Sequence, residues 1–81
     1  MKVKVKFYSL HREITGESEI CLEIEKGKKL KDVLKLIFEN YQELEKLKDF
    51  TVASLNHKYA NGEEYLNEGD EIAIFPPVGG G

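Results

Sequence analysis

Residues 69–81 read GDEIAIFPPVGGG. Gly69 offers a positive-φ turn position, and Glu71 to Phe75 alternate in bulk, with Ile72 and Ile74 on one face and Ala73 and Phe75 on the other. That period of two marks a strand. Pro76 and Pro77 then end it: proline has no N–H for the ladder and holds the residue before it extended, so the chain is thrown clear of the sheet in one direction. The fold turns on where this last strand lies.

Upstream, residues 2–10, KVKVKFYSL, also alternate: Val3, Val5 and Phe7 face one way and Lys2, Lys4 and Lys6 the other, with Tyr8 falling on the lysine face. Gly16 sits in the polar stretch HREITGESE, read as a turn, after which Ile20, Leu22 and Ile24 resume the alternation. Together these predict an N-terminal β-hairpin. Leu30, Val33, Leu34, Ile37 and Phe38 then recur at i, i+3, i+4, i+7 and i+8, the apolar stripe of an amphipathic helix. Gly27 leads into that helix, Asp32 suits the positive end of its dipole, and Asn40 ends it. Tyr41, Leu44 and Leu47 predict a shorter turn over the core. Ala53 and Leu55 begin a further strand, and Asn61-Gly62 marks a turn.

The order strand, strand, helix, strand, short strand, strand gives a two-layer α+β domain. The last strand can neighbour the first only in parallel, through a right-handed crossover that includes the helix. This is the β-grasp plan of ubiquitin-like domains: a mixed sheet of about five strands on one main helix, spanning 1–75, with 76–81 as a flexible functional tail.

Composition narrows the function. A net charge of −3 on 81 residues disfavours nucleic acid as a partner. The lysines at 26, 28, 29, 31 and 35 read as a solvated helix start. Cys21, the single cysteine, leaves no intramolecular disulfide or multi-cysteine metal site and fits a reducing compartment; it reads as a half-buried strand residue. No apolar run approaches the ~20 residues of a membrane span, so a cytoplasmic location with no membrane partner is expected. His11 and His57 have no partner at metal-ligand or catalytic spacing and read as surface histidines.

No nucleophile–base pair, metal set or phosphate loop therefore points to chemistry in the body of the domain, and attention passes to the tail. Val78, Gly79, Gly80 and Gly81 can reach ~13–14 Å when extended, and without Cβ atoms glycines can thread a passage closed to other residues. The Gly81 carboxylate, with an ordinary pKa of roughly 3.3–3.7, is anionic and a poor acyl donor. Activation by a separate ATP-using enzyme, as an acyl adenylate, would let a sulfur or nitrogen nucleophile attack it.

Residues 66–81, LNEGDEIAIFPPVGGG, closely resemble the C-terminal signature of the MoaD-type small subunit of molybdopterin synthase, within the MoaD/ThiS sulfur carriers. VKFYSLHREITG and ASLNHKYA are similar to the family's opening strand and its later strand and turn. Gly79 departs from the family's usual Ala, Ser or Thr. The resemblance implies that Gly81 is adenylated by an E1-like (MoeB-type) activating enzyme using ATP and is converted to a thiocarboxylate with sulfur from a donor protein. It further implies that Pro76, Pro77 and Val78 lead the tail into a MoaE-type large subunit, in a heterotetramer, where sulfur passes to the pterin precursor of the molybdenum cofactor. Tyr8, Tyr59 and Phe75 would pack on that partner, and no cofactor would be bound by this chain. The alternative is a ubiquitin-like protein modifier or a tRNA-thiolation carrier using the same glycine.

Overall fold

The computed structural model describes residues 1–77. Five strands, β1 Lys2–Phe7, β2 Glu19–Glu23, β3 Val52–Leu55, β4 Lys58–Ala60 and β5 Glu71–Phe75, form one sheet in the order β2-β1-β5-β3-β4. β1 and β5 are central and parallel, with Val5 opposite Ile72 and Phe7 opposite Ile74. The other neighbours are antiparallel. This is the expected β-grasp arrangement.

One face of the sheet is buried. Val3, Val5, Phe7, Ile72, Ile74 and Ala53 meet Leu30, Val33 and Ile37 of the main helix, α2 (Leu30–Asn40), together with Leu44 and Leu66. Most of these are 0–2% exposed, and at roughly 1.5–3 kcal/mol for each large apolar side chain fully buried, they supply most of the favourable side of folding. Phe7 also meets Tyr41 edge to face, with ring centroids 5.7 Å apart. The predicted second helical segment is a 3₁₀ helix, Gln42–Phe50. At the start of α2, the Lys29 N–H donates to the Asp32 carboxylate at 2.8 Å, so a residue in the first turn does the capping that position 29 cannot.

The N-terminal hairpin needs correction. β1 and β2 pair as expected, from Lys2–Glu23 to Lys6–Glu19, but a seven-residue helix, α1 (Ser9–Thr15), connects them rather than a turn. Ser9 at φ 52 swings the chain out of the strand. Gly16 at φ 74 stops the helix, its N–H donating to the Arg12 carbonyl at 2.9 Å. His11 is corrected with it: one of α1's inward residues, it is fully buried rather than on the surface. Cys21 is exposed, because Ile20 and Leu22 on either side face inward and period two turns it outward.

Two turns are clasped together at the far end of the sheet. Asn56 and His57, at φ 50 and 70, turn β3 into β4. The Asn56 side chain donates to the Asp70 carboxylate at 3.0 Å and accepts from the Glu71 N–H at 2.9 Å, while the second Asp70 oxygen accepts from the Asn67 N–H at 2.7 Å. Asp70 is 9% exposed. Its buried charge is therefore matched by directed donors, which fix the register at which β5 begins.

Candidate functional site

The outer face of the sheet carries two cross-strand rows. One runs Tyr59, Ser54, Ala73, Lys6, Glu19; the next holds Val52 opposite Phe75. Tyr8 joins this second row at the edge of β5, since its N–H donates to the Ile74 carbonyl at 3.2 Å and prolongs the parallel ladder beyond Phe7. The three aromatics singled out from the sequence thus share one face, around the point where β5 ends. Tyr59 is 77% exposed and Tyr8 42%. Phe75 is half-buried, its ring centroid 6.3 Å from that of Tyr59.

Pro76 is half-buried and Pro77 exposed, and the chain leaves the sheet between the ends of β1 and β3. Val78, Gly79, Gly80 and Gly81 lie outside the described residues.

Sequence reasoning missed Leu10 and Phe50, which are 45% and 62% exposed at the same end of the sheet, one in α1 and one just before β3. Leu10 escaped because α1 was read as a turn. The signal was there: Leu10, His11 and Ile14 occupy i, i+1 and i+4, closed by a glycine at the C-terminal cap. With Tyr8, Tyr59 and Phe75 they place five large apolar side chains at this end of the sheet, four of them exposed.

Away from that end the outer face is charged. Lys4 pairs with Glu19 at 3.7 Å, and Lys6 with Glu71 at 3.6 Å. His57 lies 3.5 Å from the same Glu71 carboxylate. Within the lysine cluster at the start of α2, Lys29 and Lys31 both grip Glu63, at 3.0 and 3.1 Å. The hydrogen bond from Lys29, followed by that from Lys31, holds the Glu63 carboxyl below the usual range, and the Glu63 hydrogen bond raises Lys29. Two of the five lysines are thereby matched within the fold.

No group of three or more potential metal ligands occurs among the described residues. Two surface hollows flank α2, one lined by Glu23, Lys28, Asp32 and Glu39, the other by Leu34, Phe38, Lys48 and Thr51. Neither contains a nucleophile–base pair. No helix among the described residues is long and apolar enough to cross a membrane.

Comparison with known proteins agrees with this geometry. The chain is 34% identical to the molybdopterin synthase sulfur carrier subunit of Chlamydomonas reinhardtii, over the whole of both chains. Among solved structures it is similar to SAMP1 of Haloferax volcanii, with a TM-score of 0.87 and 25% identity over both full chains. It also resembles a chain of the complex of subunits 1 and 2 of molybdopterin-converting factor from Helicobacter pylori, with a TM-score of 0.73 and 27% identity over both full chains. The pattern of the ThiS family matches residues 5–81. A β-grasp body that ends its central strand beside an aromatic patch is, in this chain, the body of a member of the ThiS family.

Proposed function

We propose that this protein is a sulfur carrier of the MoaD type, the small subunit of a molybdopterin synthase, with the Gly81 carbonyl carbon as its working atom. The observation that carries this reading is positional. The central strand β5 stops at two prolines beside Tyr8, Tyr59 and Phe75, while the described body offers no convergent catalytic groups. Such a body holds and presents; the chemistry belongs to what it presents.

The cycle balances as follows. The Gly81 carboxylate attacks the α-phosphorus of ATP on an E1-like, MoeB-type enzyme, expelling pyrophosphate and forming an acyl adenylate. A persulfide on a donor protein attacks the acyl carbon and expels AMP, and a thiol then cleaves the resulting acyl disulfide, releasing the thiocarboxylate and leaving the donor sulfur in a disulfide with that thiol. The tail, residues 76–81, then enters a MoaE-type large subunit, where the thiocarboxylate sulfur displaces an oxygen leaving group on the pterin precursor; water hydrolyses the resulting thioester, leaving the sulfur as a thiolate on the pterin and restoring the Gly81 carboxylate. Tyr8, Tyr59 and Phe75 form the contact that seats the large subunit. Similarity to a subunit of the Helicobacter pylori complex supports such a partner, and the likeness to the Chlamydomonas carrier supports the sulfur chemistry.

A second reading, transfer of the same acyl group to a lysine amine as a protein modifier, is supported by the likeness to SAMP1 and to a small archaeal modifier protein of Haloferax volcanii. Intact-mass analysis of the protein from its native host separates the two. Sulfur carriage predicts a gain equal to exchanging one oxygen for sulfur at Gly81, and co-purification of a large subunit. Isopeptide adducts on other proteins, with no such mass gain, would favour the modifier.

A further inference from the structure

His11 is fully buried and has no part in the proposed cycle. Its backbone N–H donates to the Tyr8 carbonyl at 3.1 Å, at the end of β1. Its ring Nε2 lies 2.8 Å from the Thr51 hydroxyl oxygen, at the start of β3. The Thr51 hydroxyl already donates its hydrogen to the Leu47 carbonyl, so it can only accept from the imidazole. That fixes the tautomer: Nε2 carries the proton and Nδ1 does not. Nδ1 is buried and has no hydrogen-bond partner among the described residues.

β1 and β3 are the two neighbours of β5. Tyr8 donates to Ile74, and Val52, next to Thr51, pairs with Phe75. One residue therefore links both flanks of the last strand at the point from which the tail departs. We propose that neutral His11 is a positioning residue for the tail root, a strap from Tyr8 to Thr51 around the end of β5, and that a proton taken up by its ring undoes the strap.

The reason is local. A second ring proton would sit on Nδ1, where burial leaves it no acceptor, and an unpaired buried charge is strongly disfavoured. Burial accordingly lowers the His11 pKa. Charged groups elsewhere do not relieve this. On α1 itself Arg12 and Glu13 are exposed; on the 3₁₀ helix packed against it Glu43, Glu45, Lys46, Lys48 and Asp49 are exposed; on β1 and β5, Lys4 and Lys6 pair outward with Glu19 and Glu71, and Lys2 is exposed. Among the described residues none of these hydrogen bonds or ion-pairs with the ring. To be protonated, the ring must leave its place, taking α1 away from Thr51.

The strap is a property of this chain alone; its bearing on tail delivery rests on the function proposed above. The test accordingly uses the isolated chain, so its failure is distinguishable from failure of that reading. Nitrogen-15 imidazole spectra of a His57→Gln protein, which leaves one imidazole, should show the Nε2–H tautomer and proton uptake only below the ordinary histidine value of about 6.5. Amide protection in α1, and at Thr51, Val52 and Phe75, should fall about tenfold per pH unit below that value relative to β1 and β2. In His11→Gln, which keeps a donor near Nε2 but does not titrate, that acid-induced loss should disappear. If that variant fails to fold, Thr51→Val should lower protection of the same amides at pH 7.5. An Nδ1–H tautomer, titration at or above 6.5, persistence of the acid effect in His11→Gln, or unchanged protection in Thr51→Val would overturn the proposal.

Discussion

Replacing Tyr59 with alanine separates the two jobs an aromatic side chain can do on this surface. The residue is 77% exposed, so the fold covers about a quarter of the roughly 150–250 Å² that a tyrosine brings to a contact. At ~25 cal/mol per Å², losing that covered part costs the isolated chain at most about 1–1.5 kcal/mol, extended-chain reference areas being upper bounds. The uncovered part, roughly 110–190 Å², has a ceiling of about 3–5 kcal/mol if a partner buries it completely. Half of that ceiling, about 2 kcal/mol, weakens the complex about 30-fold. The assays are urea unfolding of the free chain and calorimetric titration with a MoaE-type large subunit. A variant that loses several kcal/mol of folding stability yet binds with unchanged affinity would refute the reasoning, since the ring would then be serving the fold rather than the interface.

The Asp70 clasp gives a prediction of opposite kind. Asp70→Ala removes two charge-assisted hydrogen bonds from a site only 9% exposed and should cost about 2–4 kcal/mol, lowering Tm by at least about 8 °C, with Asp70→Asn milder; a shift of about 1 °C in a thermal melt would contradict this. Because burial lowers the His11 pKa in the folded state, the unfolded chain binds the extra proton first. Its contribution to stability is therefore intact above about 6.5 and is lost as pH falls below it, by up to about 1.4 kcal/mol per unit until the folded ring titrates. Urea titrations of wild type and His11→Gln at pH 7.5, 6 and 5 should diverge accordingly. Deleting Gly81 should leave Tm unchanged, since the buried cluster is complete between Val3 and Ile74, while abolishing the oxygen-for-sulfur mass gain; a destabilised or still activated variant would refute that.

The elements with strong periodicity were legible from sequence alone. Three alternating positions in β1 and five positions of the α2 stripe marked which residues face inward, and the crossover through the helix made the last strand parallel to the first once the two are neighbours. The patch was half legible: Tyr8 and Phe75 fall on the outer face by period two, but their proximity to Tyr59 depends on β3 lying between β5 and β4, a long-range pairing that no local pattern encodes. α1 was hidden because a seven-residue helix has too few turns to establish a period, and its Gly16 is as much a turn signal as a helix stop. His11 was misjudged for the same reason, since a residue's burial follows from its element. The Asn56–Asp70 clasp joins positions 14 apart through side chains and is visible only once the two turns meet.

The parallel pairing of β1 and β5 has a mechanical consequence. The amino end of the chain enters at the start of β1, and its amine is anchored on the Ile24 carbonyl at 2.7 Å. The other end departs from the finish of β5, so the two ends lie at opposite poles of the same pair of strands. A tug on the tail against the amino terminus acts along both strands and stresses the rungs between them together, in shear, instead of peeling them apart one by one. A pull applied beyond Phe75 would therefore load this stiff axis, and the rungs between β1 and β5 would resist it together.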